Sequence, residues 1–265
     1  MRIVVPIKQV PETAAVRMDE ATGTMIREGV EAIINPLDLY AIELAIRLRE
    51  GSGGEVVAIS MGPPKAMTAL REAIAMGVDR AVLISDKAFA GCDTWATSYV
   101  LAAAMGKLGG ADLILCGERA TDGDTGQVGP GIASFLDLPV ASYVSKVDSV
   151  SGNTLVLHRL IEEGYEVLEV DLPAVLTVVK EVADPRLPTL RGKQKARAAD
   201  VPTWTLKDLG LDPKKVGLEG SPTRVVKIFR PQVARHCRKV QALDDAAIGA
   251  AADELVAFLK EKQLL

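Results

Sequence analysis

Cysteine, histidine and aromatic side chains are all scarce in this 265-residue chain, and each scarcity removes a class of function. The three cysteines, Cys92, Cys116 and Cys237, are odd in number and far apart, so neither a disulfide framework nor a CxxC metal or redox pair can be drawn. His158 and His236 are isolated and fall in no HExxH, HxH or Ser/His/Asp-like pattern, which argues against a metal site and against histidine-driven catalysis. Aromatics make up only 4% of the chain, too few for the stacking platforms of single-stranded nucleic-acid binders. No apolar run approaches the roughly 18 to 20 residues needed to cross a bilayer, so no membrane span is expected. The opening Met1-Arg2-Ile3-Val4-Val5 enters a strand pattern at once rather than a charged and then apolar leader, and a cytoplasmic location is expected.

What remains is a globular composition, 48% hydrophobic and 25% charged, longer than one typical domain of about 100 to 200 residues. The net charge of −4 conceals a division. Between Asp184 and Lys239 there are 14 Lys/Arg against 5 acids, a charge of +9, which leaves −13 for the remainder. A basic stretch of that size is expected to lie on an acidic surface, of its own body, of a partner subunit or of nucleic acid. The division suggests a body over residues 1–183 and an extended basic arm with a C-terminal helix over residues 184–265.

The first 140 residues alternate short β-branched runs with helical patterns, the signature of parallel βαβ units. Strands are expected at Arg2 to Ile7, Glu55 to Ser60, Ala81 to Ile84 and Leu113 to Cys116. After a loop containing Pro11, Gly23 and Gly29, Asn35-Pro36 reads as an N-cap followed by proline at the first helical position. Further helices are expected through Met76, from Asp93 to Leu108, and up to about Leu136. From Ser142 to Lys180 the period changes to two. Tyr143 to Val147, Leu155 to Leu160, Tyr165 to Val170 and Ala174 to Val179 read as antiparallel strands added to the sheet edge. Beyond Asp184 the chain is Pro-rich and basic until Asp244 caps a final helix.

In an open α/β sheet, ligands bind outside the carboxyl ends of the strands, where the strand order reverses. The loop after the fourth strand is the most informative there. Its Gly123-x-x-Gly126-x-x-Gly129 spacing permits close backbone approach, Thr121 and Thr125 offer hydroxyls, and the amides of Gly126 to Val128, including Gln127, open a helix toward an anion. Neither GxGxxG nor GxxxxGK[ST] is present, which disfavours an NAD-type fingerprint and P-loop hydrolysis. Asp122 and Asp124 suit capping or acceptance from ribose and adenine groups. A purely structural strand-to-helix turn is the alternative. Asp93 or Thr94 stands at a second helix start, and Phe89 before it either covers a planar ligand or anchors local packing. Cys92 and Cys116 lack a neighbouring histidine and are not nucleophiles.

Taken in order, VVPIKQVPET, INPLDLYAIE, SMGPP, AMGVDRAVLISDKAFAGCDTWATSY and LILCGERATDGDTGQVGP resemble the β subunit of electron-transfer flavoproteins, and DPRLPTLRGKQKAR resembles that family's partner-recognition loop. The likeness spans essentially the whole chain. It implies a three-layer α/β/α parallel sheet of the adenine nucleotide alpha hydrolase-like, Rossmann-like class, with antiparallel edge strands and an arm that embraces an α subunit carrying FAD. Two kinds of β subunit are known, one with structural AMP and one with a second FAD that bifurcates electrons. TDGDTGQVGP and SDKAFAGCDT look like the FAD-binding, bifurcating kind.

On this resemblance adenine and ribose meet Pro6, Asn35, Asp38 and Met61, and phosphates meet Thr94, Thr97 and the Gly123 to Val128 loop. Phe89, Arg119 and Asp122 lie near the flavin, Cys116 and Asp93 flank the site, and Leu190 docks into an acyl-CoA or related dehydrogenase. NADH is the implied electron donor and ferredoxin or flavodoxin the low-potential acceptor. The sequence departs from the family at Pro6 and Cys92, where small residues are common. Rival readings are an AMP-containing shuttle subunit, an adenine-nucleotide sensor stable on its own, and a nucleic-acid binder using the +9 arm, whose affinity would fall steeply with salt.

Overall fold

The computed structural model describes residues 1–12, 32–226 and 239–265. Gly23 and Gly29 of the first loop, and Lys227, Arg230, Arg235, His236, Cys237 and Arg238 of the basic stretch, lie outside the described residues. The chain forms two compact units, Met1–Lys227 and Ile228–Leu265.

In chain order the first unit runs β1 (Arg2–Pro6), β2 (Gln9–Pro11), β3 (Ala32–Ile34), α1 (Pro36–Ser52), β4 (Glu55–Met61), α2 (Met67–Met76), β5 (Arg80–Ile84), α3 (Thr94–Lys107), β6 (Leu113–Gly117), α4 (Val128–Leu136), β7 (Val140–Ser151), β8 (Thr154–Ile161), β9 (Gly164–Asp171), β10 (Ala174–Val178), α5 (Leu190–Ala198), β11 (Thr203–Trp204) and α6 (Leu206–Leu209). Nine strands form one sheet in the order β11-β5-β4-β1-β6-β10-β7-β8-β9. Pairing is parallel from β11 to β7 and antiparallel through β8 and β9. A separate antiparallel pair joins β2 to β3.

Alternation along the strands divides the core into two layers. Ile3, Val5, Val56, Ala58, Leu113 and Leu115 pack with α1 and α2, whereas Val4, Val57, Ile59, Ile114 and Cys116 pack with α3 and α4. The first unit is thus a helix-sheet-helix sandwich, as its alternating pattern requires. Two glycines let α4 lie close to its neighbours. A Cβ at Gly129 would stand 2.6 Å from Thr177 Cγ2, and one at Gly131 would strike the Ser98 hydroxyl. Gly129→Ala is therefore expected to cost about 1–3 kcal/mol by overpacking, read as a lower denaturation midpoint.

The expected antiparallel strand at Ala174 to Val179 is corrected by the structure. β10 is parallel and sits between β6 and β7, and all five of its residues are buried. A continuous apolar run is what a strand covered on both faces requires. β8 and β9 do form an antiparallel edge, where β9 exposes Tyr165 and Val167 and carries Glu166, Glu169 and Asp171.

The basic stretch begins on the body of the first unit. Arg186 donates to Glu43 and Glu50 of α1, with Nε to Glu43 Oε2 at 2.8 Å. α5 lies on α2 through a hydrogen bond from Arg71 to the Ala196 carbonyl, another from Lys195 Nζ to the Val78 carbonyl at 3.2 Å, and the absent side chain of Gly192, where a Cβ would meet the Ala75 carbonyl. The chain then adds β11 to the far edge of the sheet. In the second unit α7 (Asp245–Glu261) begins at Asp244, whose carboxylate accepts the Ala247 amide at 2.8 Å.

Candidate functional site

From β1 the sheet grows through β4 to β5 on one side, and the chain then returns to place β6 on the other side of β1. The loops leaving β1 and β6 thus flank the point where the strand order reverses, and it is in the crevice outside the carboxyl ends at such a point that open α/β sheets take ligands. α1 begins beside both loops, and its first turn supplies the polar groups that join them.

Asn35 is fully buried and precedes Pro36, but its side chain does not cap α1. Its amide nitrogen donates to Asp38 Oδ1 and to the Arg119 carbonyl, both at 2.9 Å, and its oxygen accepts the Thr121 amide at 3.1 Å. Asp38, 6% exposed, accepts the Lys8 amide at 2.7 Å. Burial pushes its carboxyl up to about 7, against the hydrogen bonds from Asn35, Lys8 and the Gly117 amide that lower it. Gly117 must be glycine, because a Cβ would stand 2.5 Å from Asp38 Oδ1 and 2.8 Å from the Leu37 carbonyl carbon. Asn35 and Asp38 thus spend their polar groups on bracing loops.

The loop after β6 neutralises its own acids. Lys8 Nζ pairs with Asp122 at 2.7 Å and Arg119 Nε with Asp124 at 2.8 Å. Asp124 and Gly126 adopt positive φ of 53° and 64°, a conformation that suits aspartate and glycine. Thr121, Gly123 and Thr125 are exposed around this turn. α4 then starts at Gln127 and Val128 with no side-chain cap, leaving its first amides without a side-chain acceptor.

The start of α3 is different. Asp93 accepts the Ala96 amide at 3.0 Å and both the amide and the hydroxyl of Thr223, and these bonds outweigh burial and hold its carboxyl below the usual range. An anion at that helix end would meet a carboxylate already in place. Thr94 instead links the two helix starts, its hydroxyl donating to Gln127 Oε1 at 2.9 Å, and Thr97 lies half-buried one turn later.

Of the other expected contacts, Pro6 is buried at the end of β1 and Met61 half-buried at the end of β4. Beside Met61, Ser60 keeps a buried hydroxyl that has no hydrogen-bond partner among the described residues. Phe89, 6% exposed, packs in the layer with α3 and α4, which gives it the anchoring role of the two considered. Cys116 is buried in the same layer, and burial pushes its thiol up, as it does that of Cys92, whose sulfur accepts the Gly217 amide at 3.0 Å. Leu190 is not in this group. It stands 82% exposed on the first turn of α5, beyond the Arg186 anchor. Sequence reasoning missed Lys8 and the bracing role of Asn35, because nothing in a local motif shows which side chains two loops will share.

Residues 22–209 match the model of the electron transfer flavoprotein domain. The chain is similar to an electron transfer flavoprotein subunit beta of Clostridium acetobutylicum, 46% identical over 265 residues and covering 100% of both chains. It is 45% identical over 266 residues, again with 100% of both chains covered, to the caffeyl-CoA reductase-Etf complex subunit CarD of Acetobacterium woodii. It is 50% identical over 236 residues to a subunit beta of Thermoanaerobacterium thermosaccharolyticum, covering 89% of this chain and 90% of that one. With the whole chain matched and the doubly wound sheet in place, the protein belongs to the electron transfer flavoprotein beta-subunit family.

Proposed function

We propose that this chain binds FAD in the crevice between the β1 and β6 loops. Paired with an electron transfer flavoprotein alpha subunit, it would take electrons from NADH and divide them between ferredoxin or flavodoxin and an acyl-CoA or related dehydrogenase. The observation that carries the reading is the Thr121 to Val128 loop, with its acids neutralised by Lys8 and Arg119 and its helix start left open, in a chain whose relatives are electron transfer flavoprotein subunits. Similarity to a subunit of a caffeyl-CoA reductase complex supports a CoA-ester reductase or dehydrogenase as the partner.

The residues present fit such a group. Uncapped α4 amides and the Thr121 and Thr125 hydroxyls would hold phosphate. Bound flavin would supply the redox chemistry, and the protein would orient it and exclude water. A structural AMP is the second reading. It is favoured by one observation: Phe89 is buried, and Trp95 and Tyr99 pack on Phe135, so these aromatics are engaged elsewhere.

Nucleotide extracted from the co-purified heterodimer separates the two. Two FAD per heterodimer support the first reading, and one FAD with one AMP supports the second. Thr125→Ala is expected to weaken nucleotide retention by about tenfold, the value of one hydrogen bond to a charged group. Unchanged retention would remove this loop from the site. Leu190→Ala is expected to impair electron delivery to the dehydrogenase and leave bound flavin intact, as steady-state reduction assays and flavin absorbance would show.

A further inference from the structure

We propose that Asn35 and Asp38 are the positioning pair for the loop between β6 and α4, and that the loop's grip on a nucleotide phosphate is gated by one buried proton on Asp38. The inference rests on the reading of the crevice as a nucleotide site, and it concerns what holds the loop rather than what the loop holds.

The Asn35 carboxamide has two nearly isosteric orientations. Only one sets the oxygen toward the Thr121 amide and the nitrogen toward the Arg119 carbonyl. Asp38 selects that orientation by accepting from the same nitrogen. The carboxylate in turn faces N–H donors, from Asn35, from Lys8 and from the Gly117 amide. A protonated carboxyl would have to aim an O–H at one of these donors and lose that bond. When the lost bond is the one to Asn35, the carboxamide is no longer held in register and the loop loses both of its tethers to Asn35.

The charged surroundings set where this happens. From the β1 exit Lys8 lowers the Asp38 carboxyl through its charge, and Lys8 is itself shared with Asp122 of the loop. From β6 comes the Cys116 thiol, kept neutral by burial. β3 and β10 contain no titratable residue, and Lys180 and Glu181, after β10, are exposed. Glu43, the next carboxylate on α1, is engaged by Arg47 and Arg186. With burial dominant, Asp38 changes state near neutral pH.

The test uses the assembled heterodimer. Hydrogen exchange of residues 117–127 is followed from pH 5.5 to 8.5, corrected for the intrinsic pH dependence of exchange. AMP and FAD are titrated in parallel into heterodimer stripped of the beta-subunit nucleotide. In the wild type, loop protection and affinity are expected to fall together, by about tenfold, as pH drops through the Asp38 transition. Asp38→Asn, a fixed mimic of the protonated group, is expected to give low values with no pH dependence. Lys8→Gln, at an exposed position that leaves the core untouched, is expected to move the transition to higher pH, a shift that a merely structural role would not produce. A loop whose protection and nucleotide affinity ignore pH, or a Lys8→Gln transition that stays in place, overturns the proposal. pH-dependent protection without binding of either nucleotide would instead overturn the reading of the crevice and leave the brace standing.

Discussion

Between pH 5 and pH 8 the wild-type fold is expected to lose stability that an Asp38→Asn variant does not lose. Asp38 is held at about 7 in the folded chain, against an ordinary value of 3.8. Between those values the folded state keeps a proton that the unfolded state releases, so stability falls as pH rises. The contribution is complete below the ordinary carboxylate value and is lost through pH 7, on the order of 4 kcal/mol in all at 1.36 kcal/mol per unit. Roughly 2 to 3 kcal/mol of it falls within the accessible window from pH 5 to 7. Carboxylates held low in the fold, such as Asp86 and Asp93, have their effects at lower pH and with the opposite sign. The measurement is therefore the difference between wild-type and Asp38→Asn unfolding free energies at each pH, from denaturant titration of the purified complex. Parallel curves would show that Asp38 is not strained by its burial. The ionised carboxylate destabilises the fold while ordering the loop, which is the usual relation between a functional group and the structure that carries it.

Removing the Arg186 side chain is expected to cost about 3 kcal/mol, because Glu43 would remain buried with one partner fewer. Burial pushes the Glu43 carboxyl up, yet hydrogen bonds from Arg186 and Arg47 outweigh it and hold the group below the usual range. Glu43 is 2% exposed, whereas Arg186 reaches solvent and also pairs with Glu50 at 2.7 Å. Arg186→Ala should lower the denaturation midpoint and, because this anchor precedes Leu187 and Leu190, reduce electron delivery to the dehydrogenase. The double variant with Glu43→Gln should recover most of the stability, since the stranded charge is gone. A loss below about 1 kcal/mol would place this pair with ordinary surface ion pairs.

The sheet and its helices were legible because apolar periodicity encodes them, and the strand from Glu55 to Met61 and the helix capped by Asp93 follow their sequence signals closely. β10 was misread by the same criterion. Ala174-Val-Leu-Thr-Val178 is apolar save for Thr177, whose hydroxyl accepts the Tyr143 amide, and its depth in the sheet is what separates it from the hairpin strands before it. α5 carries almost no apolar pattern. It holds to α2 by cation-to-carbonyl bonds and a missing side chain, neither of which has a period. At the crevice, spacing exposed the glycine and threonine loop and read Asn35 as a helix cap, and the family resemblance gave Asn35 and Asp38 to adenine and ribose; neither showed that they brace the loops. Their bonds to Lys8, Arg119 and Thr121 are long-range facts, set by how the β1 and β6 loops meet.

The acids of β9 have a consequence for solubility. An open strand edge is a template on which a further chain can zip, and Tyr165 and Val167 on its exposed face would favour such growth. Glu162 and Glu163 in the turn, then Glu166, Glu169 and Asp171 along the strand, place like charges opposite one another whenever two copies approach edge to edge. The rim of the sheet therefore carries its own guard against fibre-like stacking in the charges along it.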